Sequence, residues 1–162
     1  SREEVARAVK AAFARHVVKK EYAALVRGVP PAKRETWRDR LVVRRSGGRL
    51  RTQSVPGRPD AETDMVLLQT GKGPPARSLL SLKPRTGRTH QLRVQCAVRR
   101  LPVIGDATYG DFAFNREFRA KDGPKRLFLH SWRVGIEVDV AGDRLRFSAE
   151  SPLPGAFTVA LG

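Results

Sequence analysis

The residues best suited to chemistry stand together at Pro84-Arg85-Thr86-Gly87-Arg88-Thr89-His90-Gln91-Leu92-Arg93-Val94. Arg85, Arg88, Thr89, His90 and Arg93 fall within nine residues. Arginine presents a rigid fork of donors, and a helix start adds backbone N–H groups and a favourable dipole. Such a loop holds an anion: a nucleic-acid phosphate, or a carboxylate of the same protein. A merely solvated basic loop has the same composition. A second candidate is Tyr22, either a core aromatic whose hydroxyl finds a partner or a catalytic tyrosine.

These side chains need elements to hold them. Ser78 to Leu82 is apolar and reads as a buried strand. Pro84 and Gly87 break it into a loop. A helix over Thr89 to Arg100 follows, with Leu92 and Cys96 on its apolar side. Glu62 to Thr70 and Ala76 to Lys83 read as a hairpin ending in that loop. Upstream, Ser1 to Arg15 is an amphipathic helix with capping-box spacing at Ser1 and Glu4 and a stripe of Val5, Ala8, Val9, Ala12 and Phe13. Val17 to Val26 turns into a strand that Gly28 and Pro30-Pro31 end. Residues 31 to 60 read as a basic surface excursion lined with Arg44, Arg45, Arg49 and Arg51. Short strands are expected there at Leu41–Val43 and Leu50–Thr52, joined at Gly47-Gly48. Its arginines serve either RNA contact or solubility.

Leu101 to Asp111 is a tight loop in which Asp106 and Tyr109 bond the loop itself or shape a cleft. Phe112 to Pro124 reads as irregular, its phenylalanines either anchoring the segment or stacking on bases. Arg126–Ser131, Trp132–Val140 and Arg144–Ala149 read as strands, the last two joined at Ala141-Gly142-Asp143, before a short terminal segment.

Composition narrows the partners. The chain has 162 residues, 32 Lys+Arg against 16 Asp+Glu, a net charge of +16 and a pI near 11.4. That length suits a single domain over 1–162, and that charge suits a polyanion, RNA above all. One cysteine, Cys96, excludes an internal disulfide and a multi-cysteine zinc site. No apolar run is long enough to span a membrane, so a cytoplasmic protein is expected. A P-loop, a dinucleotide fingerprint, HExxH and GxSxG are all missing, which argues against those enzyme classes.

The loop motif resembles the "P-x-TGR-THQ-(I/L)-RV" stretch of the RluA-like family of RNA pseudouridine synthases. Pro102-Val103-Ile104-Gly105-Asp106-Ala107-Thr108-Tyr109-Gly110 is similar to that family's "P-(I/V)-(I/V/L)-GD-x-x-YG". Val18 to Gly28 is similar to "V-x-K-x-Y-x-A-L-V-x-G", and Leu127-Phe128-Leu129-His130-Ser131 to "R-(L/I)-x-LHA". The order and spacing agree across nearly the whole chain. The resemblance implies an α+β fold: a central, mostly antiparallel mixed sheet with flanking helices and an RNA-binding cleft. It implies isomerisation of uridine to pseudouridine in ribosomal or transfer RNA, with no cofactor and no metal, by an enzyme expected to be monomeric. It makes Tyr22 the active-site tyrosine and Arg93 the partner of the catalytic aspartate. Arg85, Arg88, Thr89 and His90 become candidates for binding RNA.

One motif is missing. The family's aspartate lies in "H-R-L-D-x-x-(T/S)-S-G", which precedes the first helix seen here. His16 is followed by Val17, and Asp60 and His130 stand in the wrong contexts. The expectation is a fold incomplete at its N-terminus and inactive alone, in which Arg93 faces a carboxylate from outside the chain. The alternative is a non-catalytic RNA-binding paralogue.

Overall fold

The structure is a computed structural model and describes residues 1–14, 17–121, 124–140 and 142–162, without the side chains of Ala12, Phe13 and Val140. Arg15 in the expected first helix, His16, Ala141 in the expected turn, and the Ala12 and Phe13 side chains of the expected stripe lie outside that description.

Among the described residues, seven strands form one sheet in the order β3-β2-β4-β5-β1-β6-β7, where β1 is Val18–Arg27, β2 Arg34–Ser46, β3 Arg49–Val55, β4 Ala61–Thr70, β5 Arg77–Pro84, β6 Leu129–Val140 and β7 Asp143–Glu150. Every strand pairing is antiparallel. The described helices that flank it are α1 Arg2–Ala14, α2 Gln91–Val98, α3 Phe112–Lys121 and α4 Gly155–Leu161. The α+β sheet with flanking helices is thus as the sequence implies.

The pleat of β1 explains why both faces are covered. Ala24 and Val26 point to one side, where Trp37, Met65, Leu80 and Leu82 meet Leu92 and Cys96 of α2. Ala23 and Leu25 point to the other, where Phe128 meets Phe114 of α3 and Phe157 of α4. An Ala-Ala-Leu-Val run without polar alternation fits a strand buried on both sides. Cys96 is wholly buried, and burial pushes its thiol up to about 12, as packing rather than chemistry would have it.

Three expectations are corrected. Residues 31–60 are not a loose excursion with two short strands. β2 is 13 residues long, pairs with β4 through Arg34–Asp39, and continues as a hairpin with β3 through Arg40–Ser46. Its buried positions, Trp37 and Leu41, keep one parity, but arginines fill the solvent side and hide the alternation. Phe112 to Lys121 is a helix rather than an irregular segment. Asp111 accepts the Phe114 N–H at 2.9 Å, capping it, and Phe114 stacks on Phe118 one turn later. The expected strands Arg126–Ser131 and Trp132–Val140 are largely one continuous strand, β6.

Candidate active site

A cleft of about 330 Å³ opens on the α2 side of the sheet. Val18, Lys20 and Tyr22 line it from alternate positions of β1, with Leu129 beside them on β6. The opposite wall is the loop from Pro84 to Arg88 with His90, Gln91, Leu92 and Arg93. Tyr22 stands opposite Leu82 of β5 and Ser131 of β6, where the β1–β6 register shifts between Glu21 and Tyr22. Such irregularities re-aim a side chain, and the half-buried Tyr22 is directed into the cleft mouth.

The loop is pinned by Gln91, a buried polar residue that the sequence reading passed over. Its Oε1 accepts the Arg88 N–H at 3.0 Å and the Thr86 hydroxyl at 2.8 Å. Its Nε2 donates to the Glu62 carbonyl at 3.0 Å and to Thr63 Oγ1 at 2.9 Å. Gln95, also buried, accepts from Thr63 Oγ1 and donates to Asp39. A buried amide needs such partners on every side. Its only signal in the sequence is two glutamines four residues apart, on one helix face beside Leu92. His90 ends the loop in a left-handed conformation, φ 53°, before α2 begins.

Arg93 meets a carboxylate inside the chain, Asp106, where the family resemblance leads us to expect one from outside it. Its Nε donates to Asp106 Oδ2 at 2.7 Å and its Nη2 to Asp106 Oδ1 at 2.8 Å. Asp106, 1% exposed, also accepts the N–H groups of Thr108 and Tyr109 at 2.8 and 2.9 Å. Burial by itself would raise that carboxyl; Arg93 and the two amides outweigh it and hold it below the usual carboxylate range. The bond to Asp106 raises the Arg93 guanidinium in turn.

Tyr109 closes the arrangement. Its oxygen accepts the Thr52 N–H of β3 at 2.9 Å, and its hydroxyl lies 2.8 Å from His90 Nδ1. Burial, followed by the charge of Arg93, lowers the His90 pKa, so the ring is neutral near neutral pH.

Of the residues marked for RNA, Arg85, Arg88 and His90 line the cleft, and Thr89 does not. Thr89 is exposed, and its carbonyl accepts from Thr52 Oγ1. Arg85 is bound twice to Asp64, at 2.8 and 3.0 Å. Arg88 lies 3.5 Å from Asp60 and donates to the Leu41 carbonyl. Asp60 accepts the Leu41 N–H as well, which fastens the β3–β4 connection to β2. His130 bonds the Ser151 carbonyl and packs on Phe157, across the sheet from the cleft.

A strand bearing the tyrosine, a TGRTHQ loop opening a helix, and a GD loop clamping its arginine make up the site architecture of one class of RNA-modifying proteins. The model of the RNA pseudouridylate synthase family matches residues 1–98. The chain belongs to that family and to its RluA-like branch. It is 38% identical over 135 residues to human RNA pseudouridylate synthase domain-containing protein 1, covering 78% of this chain and 41% of that protein. To tRNA pseudouridine synthase C of Yersinia pestis it is 35% identical over 155 residues, covering 90% and 60%. The solved structure of human RNA pseudouridylate synthase domain containing 1 superposes with a TM-score of 0.72 at 31% identity, covering 96% of this chain and 63% of that one. The chain therefore spans about half the length of the curated relatives it matches.

Proposed function

We propose that the protein is an RNA pseudouridine synthase that acts on transfer RNA. The observation that carries this reading is the meeting of Tyr22 and Arg93 in one cleft, from sequence positions far apart. In the reaction, the C1′–N1 bond of a uridine breaks and a C1′–C5 bond forms; C5 loses a proton and N1 gains one. Tyr22 would stack on the base and take part in removing the C5 proton. The neutral His90 would present an uncharged imidazole to the base. The uridine must first leave its stack, which favours loops or already opened RNA. The family's aspartate motif is not among these 162 residues, so turnover on this reading needs a carboxylate supplied from sequence outside them.

The test is to incubate the full-length protein with an unmodified tRNA transcript and detect pseudouridine by chemical labelling. Product is expected from a form that also carries the family's aspartate motif, and none from residues 1–162 alone. Tyr22→Phe should bind RNA as before and form product at least about a hundredfold more slowly, within the range for loss of a proton-transfer group. An undiminished rate would remove Tyr22 from the mechanism. The second reading, RNA binding without catalysis, draws on the capture of Arg93 by Asp106. It would be upheld by a full-length protein that binds the transcript and never modifies it.

A further inference from the structure

The arginines of the β2–β3 hairpin form a cluster of cations outside the cleft. Arg44, Arg45, Arg49 and Arg51 are exposed, and among the described residues none of them forms an ion pair. Arg44 stands directly opposite Arg51 in the register. Like charges in that position destabilise a strand pair, and no carboxylate relieves them. Arg85, Arg88 and Arg93 differ: each lies against an aspartate of the same chain. Unlike the arginines of the cleft, the four on the hairpin therefore stand together with their charge open to an outside anion.

That charge borders a groove. Between the hairpin and α2 lies a space of about 740 Å³ walled by Arg44, Arg45, Arg51 and Val98, with Tyr109 at its base. Tyr109 does not line the cleft itself but touches two residues that do, His90 and Arg93. Its ring has the Arg51 Cζ 5.7 Å from its centroid and the Arg93 Cζ at 5.0 Å, and its hydroxyl holds His90. Tyr109 therefore links the groove it lines to the His90 and Arg93 side of the cleft. β3 is also the outermost strand of the sheet. Its Thr52 N–H points outward, since Tyr109 takes it. By the period of two, the N–H groups of Leu50 and Ser54 point outward as well. Guanidinium groups beside outward amides are suitable donors for phosphate oxygens.

We propose that this groove is a second RNA-backbone site, binding phosphates of nucleotides adjacent to the one in the cleft, with Tyr109 as the positioning residue that sets the two in register. The choice of which nucleotides lie there rests on the synthase reading; the binding itself does not.

The experiment measures affinity of the full-length protein for a labelled tRNA transcript across a salt series. Arg44→Glu with Arg51→Glu is compared with Arg144→Glu plus Arg146→Glu, which alters the net charge equally on β7 at the other end of the sheet. The groove pair should weaken binding by roughly tenfold or more and reduce the slope of log K against log salt by about 2. The β7 pair should change affinity by no more than about twofold, as a purely long-range effect screened by salt would. Equal losses from both pairs, or no loss from the groove pair, would overturn the proposal. Arg44→Gln with Arg51→Gln guards against misfolding: it removes the facing charges, should melt no lower than the native protein, and should still bind RNA several-fold more weakly. Undiminished binding by that folded variant also counts against the groove. Product assays separate the two readings. If the native protein makes pseudouridine and the groove pair has an unchanged KM, the groove fails and the synthase reading stands. If no pseudouridine forms yet the groove pair loses affinity, the synthase reading fails and the groove stands.

Discussion

Arg93 and Asp106 show how much one pair can settle. Both are withdrawn from water, and the carboxylate has four donors, two from the guanidinium and two from the backbone. Removing the charge from one partner of a buried pair leaves the other uncompensated. Asp106→Asn should therefore lower stability by about 3 kcal/mol near neutral pH, read from urea melts. The sign with pH follows from the depressed carboxyl. Between its folded value and the ordinary value of about 4, the unfolded chain binds more protons than the folded one. The stabilisation is complete above about pH 4 and is lost as pH falls through the folded value. The gap between native and Asp106→Asn proteins should thus narrow in acid; a gap constant with pH would mean that Asp106 acts through shape alone. The sequence marks Arg93 as needing a carboxylate, but it cannot say which, because Asp106 reaches it only when the loop after α2 folds back.

At the scale of elements, that loop is held by backbone geometry. Gly105 has φ +80°, and a Cβ there would overlap the Arg126 carbonyl oxygen. Neither strain nor contact can be relieved by a side-chain rotation, since both lie in main chain. Gly105→Ala should cost about 2–4 kcal/mol and, by displacing Asp106, also slow product formation in the full-length protein. A variant with normal stability and rate would show that the turn tolerates a different path. The same loop lies along the end of β1: the Arg27 N–H donates to the Pro102 carbonyl and the Ile104 N–H to the Leu25 carbonyl. The glycines and proline mark a tight turn in the sequence. The strand-like seating beside β1 is not legible there, because it depends on which strand end has free backbone groups. The opposite failure occurs at α3, where basic residues between phenylalanines suggest an irregular segment. The Asp111 cap and the i, i+4 contact of Phe114 with Phe118 make it a helix.

For the molecule as a whole, burial is distributed unevenly across the sheet. Ala23, Ala24, Leu25 and Val26 of β1 and Leu80 and Leu82 of β5 are buried, whereas β7 is exposed along nearly its whole length. Opening free energies follow local packing. In native-state hydrogen exchange, the β1 and β5 amides should exchange slowest, by global unfolding, and the β7 amides fastest. The cleft sits over the slow centre, with Tyr22 on β1 and the basic loop directly after β5. Rigid strands therefore carry one side of the site and a heavily bonded loop the other. Exchange at β1 as fast as at β7 would contradict that placement.

The sequence by itself determined the local patterns: the buried strand of β5, the loop broken by Pro84 and Gly87, the helix bearing Leu92 and Cys96, the basic charge, and the four motifs in order that carry the family resemblance. These depend on neighbours along the chain, so periodicity and turn chemistry report them. The tertiary structure decided the pairings that depend on distance in sequence. It gave Arg93 to Asp106, Arg85 to Asp64 and Arg88 to Asp60, and left the hairpin arginines unpaired. Every one of these cations looks alike in composition. Which of them stays available to an outside anion is settled only by which carboxylates the folded sheet brings within reach, because a charge already neutralised in its own protein gains less from a second anion.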